Sequence, residues 1–206
     1  YAELQGMGLA ADQVLDLSVN ANPYGSSPKV AAALRAVPLE RYPDRECLAL
    51  REVLAAHLRV RREQIVVGNG AAELIALIAL AFLRPPEGER RDTVLVLGPT
   101  FGEYRRAAQL MGAEVRHSNA QADEGFAPES DAISAVLRQA RPRIAFLCRP
   151  NNPTGAIYPL SDLGRWVAAA LGTLFVVDEA YLAFAPGQAS ALTLGAPNLL
   201  VLRSMT

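Results

Sequence analysis

Six short β-rich runs alternate with helical stretches along most of this chain, and that alternation constrains the fold more than any other feature. The runs fall at 64–67, 93–97, 113–116, 143–148, 173–177 and 198–202. Helical patterns cover 71–83, 102–111, 129–139 and 160–171. Strand, helix and strand in succession predict an α/β fold: a mainly parallel sheet with helices on both faces. Leu174, Phe175, Val176 and Val177 agree, because four apolar residues in a row suit a strand buried on both faces. Helix 71–83 is apolar nearly all round and is expected to be buried.

The region before the alternation reads differently. Residues 1–28 form an N-terminal arm, with Val14, Leu15 and Leu17 as its apolar part and NANPYGSSP as a loop. Two helices are expected at about 29–37 and 45–58, separated by PLERYPDRE, whose prolines break the first and precede the second. The division is therefore an arm over 1–28 and a large domain over 29–206. No internal repeat or low-complexity tract interrupts it. The first residue is not Met, which suggests trimming or disorder upstream, and VLRSMT ends directly behind a strand. The sequence is accordingly expected to be part of a longer protein, with the C-terminal part of the domain missing.

Composition excludes several function classes. The chain is 51% hydrophobic and 20% charged over 206 residues, a globular balance. A net charge of −1 gives no general attraction to nucleic acid or anionic lipid. The longest apolar stretch, Leu74 to Leu83, is too short to span a bilayer, and the N-terminal residues lack the pattern of a signal peptide. Cys47 and Cys148 read as reduced thiols of a cytoplasmic protein. His57 and His117 stand alone, without a metal-ligating partner nearby, so no metal site is expected.

The polar motifs sit where strands end. GNGAAE (68–73) joins a strand to a helix, and its glycines would let the backbone approach a ligand closely. The free N–H groups opening helix 71–83 suit an anion such as phosphate. A dinucleotide fingerprint would need Gly at 73, where Glu73 stands, and the phosphate-binding lysine pattern is absent. GPTFGEY (98–104) places Phe101, an aromatic able to stack on a flat ring, behind the next strand. RPNNPTG (149–155) is a turn that presents Asn152. VVDEAY (176–181) puts Asp178 at the end of a buried strand, with Tyr181 three residues on. Ser204 and Thr206 add hydroxyls after the last strand. Each motif alone is also an ordinary turn, cap or core aromatic. Together they gather a phosphate cradle, a ring, an amide, a carboxylate and a phenol at strand C-termini, where open α/β sheets bind ligands.

In their order and spacing, GNGAAE, PTFGEY, NNPTG, DEAY and LRSMT resemble the fold-type-I pyridoxal-phosphate enzymes of aminotransferase class I/II. The subgroup most resembled holds histidinol-phosphate aminotransferase and threonine-phosphate decarboxylase, with NANPYG and RYPD similar to its arm and dimer segments. The resemblance implies that Gly70, Ala71 and Ala72 bind the cofactor phosphate, together with Ser204 and Thr206. It implies that Phe101 stacks on the pyridine ring, and that Asn152 and Tyr181 hydrogen-bond its phenolic oxygen. Asp178 would meet the protonated pyridine nitrogen, and Asp178 and Tyr181 would be the catalytic residues of this stretch. Asn22 and Tyr24 would lie near substrate, and Tyr42 would reach the phosphate of a neighbouring subunit, so a homodimer is implied. The family's Schiff-base lysine would follow Thr206 directly, since Lys29, the one lysine present, lies far from the motif. The implied activity is amino transfer between histidinol phosphate and 2-oxoglutarate in histidine biosynthesis. Decarboxylation of threonine phosphate in corrinoid synthesis is the alternative, and a truncated, non-catalytic binding module is a third reading.

Overall fold

The computed structural model describes residues 2–10, 13–15, 19–20, 22, 24–126 and 129–205. Leu17 and Thr206, both named above, lie outside them. Contacts divide the chain into two compact units, Tyr1–Leu50 and Arg51–Thr206.

The first unit holds α1 (Ala2–Gly6), α2 (Pro28–Arg35) and the start of α3 (Leu48–Leu58). Pro28 opens α2, where its missing N–H costs nothing. Asp44 caps α3: its Oδ2 accepts from the N–H of Leu48 at 2.8 Å. Ahead of α2, Asn22 accepts at Oδ1 from Tyr24 N and donates from Nδ2 to Gly25 O.

The second unit contains α4 (Ala71–Phe82), β1 (Thr93–Gly98), α5 (Glu103–Leu110), β2 (Glu114–Asn119), α6 (Ser130–Ala140), β3 (Ile144–Cys148), α7 (Leu160–Ala169), β4 (Leu174–Asp178) and β5 (Leu199–Leu202). The five strands pair in the order β2-β1-β3-β4-β5, all parallel. Two-residue alternation sorts their side chains. Val94, Val96, Ile144 and Phe146 face a cluster with Ile75, Ile78 and Ala79 of α4 and Tyr104 and Ala108 of α5. Leu95, Leu97, Ala145 and Leu147 face the other way, onto Ile133 and Leu137 of α6 and Leu163 and Trp166 of α7. Helices therefore cover both faces, as the alternating pattern predicts.

Two expectations differ from the structure. The run 64–67 is no strand: Arg62–Gln64 form a 3-10 turn, and Ile65 continues in extended conformation without a ladder partner among the described residues. β-branched residues favour extended backbone, but a strand also needs an edge to pair with. Helix α4 is not buried all round either. Ile75, Ile78 and Ala79 pack on the sheet, while Leu77, Leu80 and Phe82 remain exposed, Leu80 by 61%. A helix laid on one face of a sheet buries one stripe, whatever the rest of its composition.

The strand order fixes where a ligand can go. From β1 the chain crosses to β2 on one side, and the later strands β3, β4 and β5 build outward on the other. The connections after β1 and β3 thus diverge, and the crevice between them opens at the carboxyl ends of the strands.

Candidate active site

Gly98, Cys148, Asp178 and Leu202 end β1, β3, β4 and β5, so the segments holding Phe101, Asn152, Tyr181 and Ser204 all leave the same rim. Parallel register puts Cys148 beside Asp178 and Asp178 beside Leu202.

Asp178 is the chemical centre of this rim. It is 4% exposed. Its Oδ2 accepts from the hydroxyl of Tyr104 at 2.7 Å, and its Oδ1 accepts from the N–H of Ala180 at 2.9 Å. Burial pushes its carboxyl above the usual carboxylate range, against those two hydrogen bonds, which favour the ionised form. Among the described residues no cation forms an ion pair with it.

Tyr104 was not singled out by the sequence. A tyrosine three residues beyond Phe101 on an amphipathic helix reads as core, and its partner is 74 residues away in the chain. The structure stacks its ring on Phe146, with centroids 5.1 Å apart and planes 9° from parallel. Phe101 meets the same ring edge-on at 5.8 Å and 82°. Burial, then the neighbouring Asp178, raises the Tyr104 phenol far above its ordinary value, so it stays a hydrogen-bond donor. Phe101 itself is 37% exposed, which leaves part of its ring open.

The segment after β3 is tied to the one after β1. Asn151 donates from Nδ2 to Pro99 O and to Thr154 Oγ1, both at 2.8 Å. Asn152, the predicted donor, follows it and is half-buried. Cys148 donates to Pro150 O, and burial followed by the charge of Asp178 pushes its thiol up to about 11. Both cysteines are free. Tyr181 packs its ring at 6.5 Å from Phe184.

The GNGAAE loop opens α4 without any side-chain cap on Gly70. Gly70 has φ +85° and ψ 168°, a conformation essentially confined to glycine. A Cβ there would meet nothing within 4 Å, so the space ahead of the helix is open. The N–H groups of Ala71 and Ala72 begin the helix at that opening, where aligned peptide dipoles favour an anion. Gly70→Ala is expected to lower stability by about 1–3 kcal/mol through backbone strain alone, measurable by urea denaturation.

Asn22, Tyr24 and Tyr42 belong to the first unit, where both tyrosines are exposed. Ser204 follows β5 and is half-buried, and Thr206 lies outside the described residues. Among the described residues there is no cluster of metal-ligating side chains, and no helix is long and apolar enough to cross a membrane. His57 and His117 are exposed. A groove of about 270 Å³ beside α7, lined by Gly164, Leu171, Leu194 and Pro197, shares no residue with the rim.

An all-parallel sheet with its polar side chains gathered at the carboxyl rim defines an open α/β domain with its ligand crevice at that rim. The chain belongs to the aminotransferase class I and II family, which matches residues 12–206. It is similar to a histidinol-phosphate aminotransferase of Limosilactobacillus fermentum, 39% identical over 201 residues that cover 92% of this chain and 53% of the relative. A solved structure from Erwinia carotovora atroseptica, provisionally assigned as a histidinol-phosphate aminotransferase, superposes with a TM-score of 0.81 at 32% identity, over 94% of this chain and 56% of that one. An L-threonine-O-3-phosphate decarboxylase from Porphyromonas gingivalis superposes at 0.63 with 28% identity, over 81% of this chain and 46% of that one. The chain spans about half the length of the curated relatives it matches.

Proposed function

We propose that the full-length protein is a pyridoxal 5′-phosphate-dependent aminotransferase that moves an amino group between histidinol phosphate and 2-oxoglutarate. The observation that carries the reading is Asp178: a carboxylate 4% exposed, held by Tyr104 and Ala180. Its ionised form is disfavoured by burial, so a protonated pyridine nitrogen is the partner that such a group lacks. The N–H groups that open α4 suit the cofactor's phosphate, with the Glu73 carboxylate turned back onto Asn69, and the open part of the Phe101 ring fits its flat heterocycle. The donor set therefore fits the cofactor.

When bound, the cofactor supplies an electron-accepting ring for the substrate's α-carbon. The protein's own residues do the rest. Asp178 would keep a proton at the ring nitrogen, and Tyr104 fixes which way that carboxylate points. Phe101 would stack on the ring, and Asn152 and Tyr181 would donate to its phenolic oxygen. Gly70, Ala71, Ala72, Ser204 and Thr206 would hold the phosphate, and the NANPYG motif supports a substrate role for Asn22 and Tyr24. Tyr42 is proposed to reach the phosphate of a second copy, a role supported by its RYPD motif and its exposed ring. The lysine expected after Thr206 would act as general base on the α-carbon proton.

The test is product analysis on the full-length protein. Histidinol phosphate with 2-oxoglutarate should yield glutamate and the corresponding keto compound. Release of carbon dioxide from threonine phosphate would instead support the decarboxylase reading, which the Porphyromonas gingivalis likeness favours. Asn152→Ala is expected to weaken cofactor affinity by about 0.5–1.5 kcal/mol, roughly 2- to 12-fold, the net worth of one hydrogen bond. Fluorescence titration of the apoprotein measures it.

A further inference from the structure

Next to Asp178 lies a second buried carboxylate, which the proposed reaction does not use. Glu179 is 1% exposed and points to the other side of the strand end. Its Oε1 accepts from the N–H of Ala191 at 2.7 Å, and its Oε2 accepts from the hydroxyl of Ser190. Two guanidinium groups approach the same carboxylate. Arg149 Nη1 stands 3.6 Å from Oε1, and Arg203 Nη1 donates to Oε2 at 3.3 Å.

Those three residues stand at the ends of adjacent strands. Arg149 follows β3, Glu179 follows β4 and Arg203 follows β5. Their backbones are linked as well: Arg149 N donates to Asp178 O, and Glu179 N donates to Leu202 O. Arg149 is 1% exposed, and its remaining donors go to Tyr158 O, Ala189 O and Gln188 Oε1. The loop 188–191 is thereby drawn onto the same group of charges. A buried charge is tolerated when it is paired and its lone pairs are satisfied, and this carboxylate meets both conditions.

We infer that Glu179 and Arg203 are positioning residues: the Arg149–Glu179–Arg203 bridge sets the chain that leads into Ser204 and so places the phosphate-binding end of the site relative to Asp178. The inference rests on the pyridoxal-phosphate reading above. Its physical basis is the charge-assisted hydrogen bond from Arg203 Nη1 to one oxygen of the buried Glu179 carboxylate. A planar guanidinium bonded to a fixed carboxylate restricts the backbone that carries it, and Ser204 is the next residue. Without the bridge, the backbone beyond β5 has one fewer tertiary anchor at the point where the phosphate must be held.

The experiment compares pyridoxal phosphate with pyridoxal, which lacks the phosphate, as ligands of the full-length apoprotein. Wild type should bind the phosphorylated form more tightly. Arg203→Gln is expected to lower affinity for pyridoxal phosphate about tenfold, as expected when one hydrogen bond to the phosphate is broken or misaligned, and to leave pyridoxal affinity unchanged. Glu179→Gln should show the same selective loss with a lower melting temperature, because it strands the buried Arg149 charge. If Glu179→Gln fails to fold, Arg203→Gln decides alone. Equal loss for both ligands would mean a purely structural role and would overturn the positioning inference, as would no loss for either. Wild-type protein that binds neither ligand would overturn the functional reading itself, and the inference with it.

Discussion

Asp178→Asn in the full-length protein is expected to lower kcat/KM for amino transfer by about 30-fold to several-thousandfold. Removing one member of a buried, hydrogen-bonded charge pair costs about 2–5 kcal/mol, and each 1.36 kcal/mol is tenfold in rate. Asparagine keeps the shape and can still accept from Tyr104, so the fold should survive. What it cannot do is stabilise a proton on the ring nitrogen. The same substitution should change how apoprotein stability varies with pH. Burial raises the folded-state pKa of Asp178 above its unfolded value. The stability linked to that proton is fully present below the unfolded pKa and is lost as pH rises through the raised folded value. Urea midpoints of the wild-type apoprotein should therefore carry a component that falls over that window, and Asp178→Asn should lack it. Cofactor should reverse the trend in wild type, because a neighbouring cation favours the ionised carboxylate.

Tyr104→Phe is the second large effect. The ring remains to stack on Phe146, but the donor 2.7 Å from Asp178 Oδ2 disappears. A hydrogen bond to a charged group is worth about 1.5–3 kcal/mol, so roughly a 10- to 150-fold loss in kcat/KM is expected. The direction with pH follows from the same hydrogen bond. Tyr104 lowers the carboxyl pKa of Asp178, so its removal must raise it. Because the reaction needs Asp178 ionised, the acid limb of the pH–rate profile should move to higher pH in Tyr104→Phe. A profile of reduced height with an unmoved limb would mean that the hydroxyl matters only for packing.

Much of this architecture can be read from residue order. The runs at 93–97, 143–148 and 173–177 became β1, β3 and β4 to within a residue, because continuous apolar stretches bounded by Gly, Pro and Asp have few other solutions. The 64–67 run misled because β-branched residues report a taste for extended backbone, whereas a strand is a pairing, and pairing is tertiary. The outer face of α4 misled for a related reason: composition gives the hydrophobicity of a helix and not how many neighbours it has. At the site, Asp178 was legible from its place at the end of VVD. Tyr104 and the Arg149–Glu179–Arg203 bridge were not. Their partners lie 74, 30 and 24 residues away, and side-chain reach across a folded sheet leaves no local pattern.

The central claim is that Asp178 holds a proton on the pyridine nitrogen of a bound cofactor. The direct test is the ¹⁵N NMR shift of ring-labelled pyridoxal phosphate in the full-length protein. The account predicts a protonated nitrogen in wild type that stays protonated through neutral pH, and an unprotonated one in Asp178→Asn. A wild-type nitrogen that is unprotonated at neutral pH, or one whose shift is the same in both proteins, would contradict it.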